Sequence, residues 1–232
     1  MGRIGTPAAA SCLPRGRLFA LTSWLQRWRE PLPLVGVDVG ALDMFWVELG
    51  VDAGQVRITQ ALREPLPAGW GRPQDVASWD LAVLGEALAR LKARRVGSSA
   101  APRYLAMGLS AEDVQCEPIE AGLSVHPHLA QGPRLADELY WDVAQRDDVA
   151  QLITTPRATA LTLQALAESA GLELVVLETS EAALERAEQW LHQQGDLTSH
   201  LSSQEIPTSE LSHHAAAIGL ALRRFEPWGT AC

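Results

Sequence analysis

Asp38 and Gly40 are the first residues of the chain whose types and spacing suit ligand chemistry. Asp38 lies near the end of an apolar run, Leu34–Val39, that predicts a β-strand, and Gly40 begins the turn that follows. The carboxyl ends of strands in an open α/β sheet form the ligand crevice. A carboxylate and a glycine turn at this place are typical of a phosphate site, because glycine lets the backbone approach the phosphate closely. Asp38 and Gly40 are therefore the candidate cofactor-binding residues.

The remainder of this turn is unfavourable to phosphate. Ala41 and Leu42 offer no hydroxyl donor, and Asp43 adds a negative charge beside the place of the phosphate. Such a turn repels a polyphosphate, and two interpretations stay open. Either Asp38 is a turn former that caps the hairpin, or Asp38 and Gly40 form a vestigial phosphate turn with weak contact to ATP and magnesium. We predict no catalytic residue in either case.

A metal-dependent nuclease site of the ribonuclease-H type is a second possibility, and it needs several carboxylates that converge on metal ions. Glu86 lies in the middle of the first predicted helix. At about 100° per residue it falls opposite the leucine stripe of that helix and faces solvent. The stripe consists of Leu81, Leu84, Leu88 and Leu91. The fourth predicted strand ends in Gly108-Leu109-Ser110, without an acid. The sequence therefore disfavours a nuclease.

The spacing of histidines and cysteines predicts no metal site. His126 with His128, and His213 with His214, have no cysteine or further histidine at ligand spacing, so we interpret them as surface-loop or helix-start residues. The cysteines are odd in number and far apart, which excludes a disulfide framework and suits a reducing compartment. These cysteines are Cys12, Cys116 and Cys232.

Length and composition are those of an ordinary globular protein. The 232 residues suffice for one substantial domain or two small ones, and 47% of them are hydrophobic. The formal net charge of −9 disfavours nucleic-acid binding. No window reaches the roughly 18 continuous apolar residues that a membrane-spanning helix requires.

Residues 1–30 differ in charge from the rest of the chain. They contain five arginines and one glutamate, whereas the remainder is strongly acidic. The spacing of their apolar residues predicts one face of a short helix; these residues are Leu18, Leu21, Trp24, Leu25 and Trp28. The region lacks the features of a signal peptide. It is either a flexible basic extension or a basic amphipathic segment that contacts anionic lipid or a partner.

The apolar runs after Pro33 predict a β-meander followed by alternating helices and strands. The strands of the meander are Leu34–Val39, Met44–Leu49 and Val56–Leu62. A helix follows over about Trp79–Arg95, with Ser78 as its N-cap. The later elements are the strands Tyr104–Leu109, Val114–Ile119, Ala150–Thr154 and Leu172–Leu177, the last of them buried, and the helices Pro156–Ala170, Glu181–Gln193 and Ala215–Arg224.

Two further details concern the middle of the chain and its turns. Pro118 restricts the fifth strand to a sheet edge or a bulge. Residues 135–143 predict a short helix that leads into a strand. The residues Asp52–Gly54 are suited to a tight hairpin turn between the second and third strands.

This order of elements predicts the fold class. A meander, a helix, a strand and then helix, strand and helix form the α/β unit of the actin-like and ribonuclease-H-like folds, with a mixed sheet and covering helices. We expect residues 1–30 as an extension, 31–109 and 150–225 as the core, and 110–149 as an inserted subdomain. Residues 195–212 are polar and are interpreted as a linker within the core.

Four stretches of the sequence resemble one family, PilM, the actin-like proteins of type IV pilus assembly. Leu34–Gly50 (LVGVDVGALDMFWVELG) is similar to the opening pattern of that family, which is close to IGIDIGSSSVKVVEL. Leu105–Gly122, Ile153–Leu184 and Ala215–Phe225 are similar to later family segments in the same order. The family has a second actin-like half, with its own phosphate turn and adenosine motif, where this chain has only residues 186–212. The resemblance therefore implies a shortened actin-like protein whose second lobe is missing.

The resemblance also implies a function. PilM proteins are cytoplasmic and bind the N-terminal peptide of PilN, an inner-membrane protein. We therefore expect a scaffold of type IV pilus biogenesis or competence-type DNA uptake, held at the inner face of the inner membrane by a PilN-like partner and other pilus components. We expect no enzyme activity, no cofactor and no nucleic-acid partner. The alternative is an actin-like ATPase that retains a weak ATP site.

Overall fold

The structure, a computed structural model, describes residues 33–96, 102–119, 138–146, 149–194 and 212–225. The strands in this part of the chain are β1 (Leu34–Val39), β2 (Asp43–Asp52), β3 (Gln55–Pro65), β4 (Tyr104–Leu109), β5 (Gln115–Ile119), β6 (Leu139–Arg146), β7 (Val149–Pro156) and β8 (Glu173–Thr179). The helices are α1 (Leu81–Ala93), α2 (Arg157–Ser169), α3 (Ser180–Gln194) and α4 (Ala215–Leu222).

A five-stranded mixed sheet forms the centre of the fold, with the strand order β3-β2-β1-β4-β8. β1, β2 and β3 pair antiparallel as a meander, and β4 and β8 run parallel to β1. Helices α1 and α2 pack on one face of this sheet, and α3 and α4 pack on the other. The carboxyl ends of β1, β4 and β8 therefore lie at one edge, which is where α/β sheets form ligand crevices.

A second sheet has three antiparallel strands in the order β5-β7-β6. Pro118 lies in β5, at the edge of this sheet, as its missing N–H requires. The strand that the sequence predicts at residues 150–154 is part of β7, which pairs with β5 and β6. Of the helix predicted within residues 135–143, the first part lies outside the described residues, and the strand β6 occupies the rest from Leu139.

Helix α1 starts where Asp80 supplies an N-cap. The Asp80 carboxylate accepts hydrogen bonds from the N–H groups of Ala82 and Val83, at 3.1 and 3.2 Å. The predicted cap at Ser78 is wrong, because that hydroxyl donates to the carbonyl of Asp75 in the preceding 3-10 turn. Both residue types are good caps, so sequence alone did not distinguish them.

Helix α2 is terminated by a glycine, Gly171. Gly171 adopts a φ of +65°, in the left-handed region that a Cβ disfavours. The N–H of Leu172 donates to the carbonyl of Ala167 at 3.0 Å, and that of Gly171 to Glu168 at 2.9 Å. This pair of bonds is a Schellman motif, which turns the chain from α2 into β8.

The two faces of the five-stranded sheet are packed differently. On the α1 and α2 face, large side chains fill the core, and Leu84, Leu88 and Leu91 of the predicted leucine stripe are fully buried. On the other face, a Cβ at Gly36 of β1 would overlap the carbonyl oxygen of Ala217. Helix α4 therefore lies directly against the backbone of β1.

The edge strand β8 is tied to α3 and α4 by ion pairs. The sequence predicts that this strand is buried, but the prediction is only partly right. Of the side chains of β8, only those of Val176 and Glu178 are buried. Glu178 accepts two hydrogen bonds from Arg186 of α3, at 2.6 and 2.9 Å, and lies 3.5 Å from Arg223. Arg186 also donates to the carbonyl of Gly219 in α4 at 3.0 Å. A buried carboxylate is stable only with such partners.

Within the described part of the chain, no helix has the length and apolar character needed to span a bilayer.

Candidate functional site

The candidate site lies at the edge of the five-stranded sheet where β1, β4 and β8 end. Asp38 is near the end of β1, Gly108 near the end of β4, and Ser180 follows β8 as the first residue of α3. The Ser180 hydroxyl donates a 3.0 Å hydrogen bond to Asp38 Oδ1. A Cβ at Gly108 would overlap Ser180 Oγ and lie 2.9 Å from Asp38 Oδ1. Glycine at position 108 is therefore what allows the two polar groups to meet.

The environment of Asp38 disfavours its negative charge. Burial raises the pKa of this carboxyl above its ordinary value of 3.8, and the nearby charge of Glu181 raises it further. The hydrogen bonds from Ser180 and from the backbone N–H of Val39 act in the opposite direction but do not outweigh burial. Asp38 is therefore a poorer ligand for a cation than an exposed aspartate, because a metal ion needs the ionised carboxylate.

The turn between β1 and β2, residues 40–42, presents no open phosphate cradle. The N–H of Gly40 donates to the carbonyl of Asp43 at 2.9 Å and closes the turn on itself. Gly40 does not adopt a positive φ, so its backbone conformation does not require glycine. The side chains of Ala41 and Leu42 are exposed, and neither has a polar atom.

The segment that follows β3 donates hydrogen bonds to this turn and so holds it in place. The indole N–H of Trp70 donates to the carbonyl of Ala41 at 3.1 Å, and the N–H of Leu66 donates to the carbonyl of Leu42 at 2.7 Å. Trp70 packs edge-to-face on Trp79 with ring centroids 5.8 Å apart. Both tryptophans are buried, so they belong to the core and hold the turn from within the fold.

The charge of Asp43 is compensated within the fold. Asp43 Oδ2 lies 2.8 Å from Arg63 Nη2, across the β2–β3 pair. From the sequence, Asp43 is expected to add an uncompensated negative charge beside the turn. The structure corrects this expectation, because Arg63 neutralises the charge of Asp43. The ring of Phe45 meets the ring of His214 edge-on at 5.0 Å and packs toward α4.

These contacts are a poor fit to a magnesium-bound triphosphate. Phosphate turns supply free backbone N–H groups and hydroxyl donors. Here the N–H of Gly40 is already bonded, and the exposed side chains of the turn are apolar. Asp38 has a hydroxyl partner in Ser180 and a raised pKa. The edge is therefore poorly suited to a polyanion.

The described residues also lack the cluster of carboxylates that a nuclease needs to hold its metal ions. Glu86 lies on the outer side of α1, as predicted, and its side chain is 76% exposed and 3.5 Å from Arg90. It therefore faces solvent rather than the sheet. No group of three or more histidine, cysteine or acidic side chains in the described part of the chain is arranged to hold a metal ion.

The histidines have two different outcomes. His126 and His128 lie outside the described residues. His213 and His214 lie at the start of α4, as predicted, but only His213 is exposed. His214 matches the helix-start interpretation and not the surface-loop one, since it is buried beside Phe45.

Sequence reasoning did not include Ser180, Gly108, Trp70 or Arg63 in the site. Asp38 and Ser180 are 142 residues apart in the chain, and nothing local connects them. One general rule could have helped, because strands that run parallel in a sheet place their carboxyl ends at one edge. The rule places the residues at the ends of β4 and β8 near Asp38 on the basis of strand direction alone.

Comparisons with known proteins support the fold. No protein-family model matches the chain, and no curated protein matches it. Among solved structures, it is similar to one described as the PilM-PilN type IV pilus biogenesis complex, with a TM-score of 0.55 and 21% identity. The similarity covers 72% of this chain and 53% of that chain, so this chain spans about half of its length. The fold is one half of an actin-like fold.

Two further solved structures are similar at a lower level. One is the cytoplasmic domain of EpsL, an inner membrane component of the type II secretion system of Vibrio cholerae, with a TM-score of 0.42 and 12% identity, covering 65% of this chain and 56% of that chain. The other is Thermus thermophilus RuvC, with a TM-score of 0.38 and 17% identity, covering 85% of this chain and 97% of that chain. Neither TM-score is high enough to support an argument.

The fold class predicted from the sequence is thus confirmed, with its meander, mixed sheet and covering helices. An identity of 21% supports a shared fold but is too low to assign an activity to this chain. The role of Asp38 and Gly40 stays a prediction.

Proposed function

We propose that this protein is a cytoplasmic scaffold of type IV pilus biogenesis or competence-type DNA uptake, which docks the cytoplasmic N-terminal segment of a PilN-like inner-membrane partner without hydrolysing ATP. The observation that supports it most is the similarity to the PilM-PilN complex structure over 72% of this chain. Association with the inner membrane then occurs through the partner. The net charge of −9 is consistent with a protein partner rather than a nucleic acid.

Docking of a peptide requires only a groove or an unpaired strand edge. In the part of the chain that the structure describes, β3 and β8 are the outer strands of the first sheet, and β5 and β6 are those of the second. Each offers backbone N–H and carbonyl groups that an extended peptide can pair with. A scaffold role therefore needs no nucleotide at the β1–β2 turn.

The contacts of that turn support the absence of ATP hydrolysis. The carbonyls of Ala41 and Leu42 accept hydrogen bonds from Trp70 and Leu66, and the N–H of Gly40 is bonded to Asp43. A phosphate would have to break the Gly40–Asp43 bond before it reached that N–H, and the two carbonyls are acceptors that cannot bind it. An unsatisfied buried polar group costs about 1–3 kcal/mol, which weakens any residual site.

Co-purification tests the scaffold role directly. The full chain is expressed with the inner-membrane pilus protein encoded nearest to it, and the two are extracted in mild detergent. We expect the partner to be retained, and a synthetic peptide of its cytoplasmic N-terminal segment to compete it off. A scrambled peptide of the same composition is the control. Failure to retain any inner-membrane pilus component contradicts the proposal.

The alternative function, an actin-like protein with a weak ATP site, is tested by thermal unfolding in Mg-ATP. A ligand at a thousandfold excess over its Kd stabilises the folded state by about 4 kcal/mol, which for a domain of this size raises Tm by roughly 8–16 °C. We expect no rise at millimolar Mg-ATP. A concentration-dependent rise that the Asp38→Ala variant abolishes would establish the alternative instead.

A further inference from the structure

The end of the five-stranded sheet where β1 begins lies opposite the end that holds Asp38. The register that pairs Val35 with Glu48 places Leu49 at the start of β1, and β2 and β3 continue beyond it as a hairpin. The later parts of α3 and α4 pack against this hairpin. A surface at this end is therefore separate from the candidate functional site.

Four apolar side chains at this end are incompletely covered. Val51 and Val56 lie directly opposite each other across the β2–β3 pair, so they share one face of the hairpin, and Val51 is 56% exposed. Val56, Trp190 and Phe225 are partly buried and pack against one cluster of buried residues. We call these four residues and Arg224 the amino-end patch. Apolar exposure alone identifies no partner, so the charge of Arg224 decides what fits here.

Arg224 reaches the patch from the end of α4. Its Nη1 donates a 3.0 Å hydrogen bond to the carbonyl of Leu49, and its Cζ lies 5.4 Å from the ring centroid of Phe225. Its Nε is buried without a hydrogen-bond partner in the described part of the chain. Burial lowers the pKa of Arg224 below the ordinary value of an arginine. A carbonyl and a ring fix this side chain, but each supplies only a partial negative charge.

Arg224 differs in this respect from the other arginines that the structure describes as partly or fully buried. Each of the others forms an ion pair with a carboxylate of the fold. These pairs are Arg57 with Asp52, Arg95 with Glu48, and Arg186 and Arg223 with Glu178. No described carboxylate forms such a pair with Arg224. A partly buried charge without a counter-charge is costly, so Arg224 favours an anionic group from outside the fold.

The geometry of the patch selects a carboxylate on an apolar carrier. Because the Nε of Arg224 is buried and its Nη1 already has a partner, only part of the guanidinium fork is left for a ligand. A phosphate needs more donors than this, whereas a carboxylate needs only one or two. The net charge of −9 also repels free small anions. Apolar neighbours of the carboxylate would cover Val51 and Trp190, and tryptophan and arginine often dominate protein contacts.

We infer that the amino-end patch binds a protein segment in which an aspartate or glutamate lies next to apolar residues. The carboxylate pairs with Arg224, and the apolar side chains cover Val51 and Trp190. This surface goes beyond the proposed function, because it gives the scaffold a place for a second partner at the end of the sheet away from Asp38.

Selection of peptides on the full chain tests this binding. A displayed library of short random peptides is applied to the immobilised protein, and the Kd values of the enriched peptides are measured by fluorescence anisotropy. We expect the enriched peptides to contain an acidic residue beside apolar ones. Arg224→Gln should weaken their binding about tenfold to hundredfold, the range for a hydrogen bond to a charged group.

A double-mutant cycle identifies the pair itself. The acidic residue of an enriched peptide is replaced by its amide, and this peptide is measured on the wild type and on Arg224→Gln. We expect the replacement to weaken binding to the wild type as much as Arg224→Gln does, and to have little further effect on that variant. Since synthetic peptides are the probe, failure here leaves the proposed membrane partner unaffected.

Matched variants control for charge and for folding. Arg72→Gln removes an exposed arginine from the loop after β3, and we expect it to bind as the wild type does. Val51→Ser should weaken binding, whereas Leu161→Ser, which changes a 45% exposed leucine of α2, should not. Thermal unfolding checks that each variant is folded. Val51→Ser carries the test if Arg224→Gln does not fold, because the side chain of Val51 is exposed.

Four results would overturn the inference. One is that no peptide is enriched, and another is that the enriched peptides lack an acidic residue. The third is equal binding to Arg224→Gln and wild type, or an equal loss with Arg72→Gln, since binding then does not depend on Arg224 in particular. The fourth is displacement of the peptides by millimolar inorganic phosphate, which would assign the patch to a free anion.

Discussion

The two turns of the β-meander differ in what determines their shape. The β1–β2 turn, residues 40–42, is held by Trp70 and Leu66 from a segment outside the hairpin. The β2–β3 turn is local: Ala53 and Gly54 have φ values of 49° and 80°, and nothing lies within 4 Å of the place of a Cβ at Gly54. Tertiary contacts thus shape the candidate functional turn, whereas backbone conformation alone shapes the other. Substitutions at each turn should differ accordingly.

The largest effect is expected for Trp70→Ala. This side chain is buried on Trp79 and donates to the carbonyl of Ala41. Its loss leaves a cavity and an unpaired carbonyl, and we expect the free energy of unfolding to fall by about 3–5 kcal/mol. Urea denaturation measures it. Trp70→Phe, which keeps a ring and removes the donor, should cost less; a loss below about 1 kcal/mol for Trp70→Ala would show that the turn does not depend on this support.

The next effect is expected for Gly54→Ala in the second turn. The position has room for a Cβ, but its positive φ disfavours any L side chain. We expect destabilisation by about 1 kcal/mol. Gly54→Asn is the matched variant and should recover part of the loss, because asparagine tolerates the left-handed region. Equal stability of all three proteins by urea denaturation would contradict this interpretation.

Asp38→Asn should stabilise the protein at neutral pH. Because burial raises the pKa of Asp38 in the folded state, ionisation favours the unfolded chain, and stability falls as pH rises through the ordinary value of 3.8 toward the folded pKa. Asparagine has no such penalty and can still accept the Ser180 hydrogen bond. The Tm difference between variant and wild type should therefore be larger at pH 7 than at pH 4. A constant or reversed difference would refute the raised pKa.

The smallest effect is expected for Gly40→Ala. A Cβ there would lie 3.3 Å from the Asp43 carbonyl oxygen and 3.4 Å from the Phe45 ring, and no positive φ is involved. We expect stability to change by less than about 0.5 kcal/mol and binding of the membrane partner to be unchanged. A phosphate turn would respond differently, since the added methyl group would obstruct the ligand. Loss of partner binding on this substitution would place the docking surface at the turn.

Regular elements of this fold were predictable because their signals are local. β1 and β4 have the predicted bounds, since each is an apolar run between turn residues. The hairpin at Asp52–Gly54 followed from its turn residues. By contrast, β7 was recognised as a strand, but the sequence did not show that it pairs with β5 and β6. Periodicity identifies a strand, but pairing depends on distant residues that a local pattern does not contain.

The site was less predictable than the fold for the same reason. Asp38 and Gly40 were identified from their place in the sequence, but Ser180 and Trp70 approach them only through the tertiary structure. The neutralisation of Asp43 by Arg63 depends on strand register. A register is fixed by the whole hairpin, so the sequence correctly showed a charged residue at the turn and could not show its partner.

The central claim is that the protein binds a membrane partner and needs no nucleotide to do so. Calorimetric titration of the full chain with a synthetic peptide of the partner's cytoplasmic N-terminal segment, with and without millimolar Mg-ATP, tests it most directly. The account predicts saturable binding with the same Kd in both conditions. No binding in either condition, or binding that appears only with Mg-ATP, would contradict it.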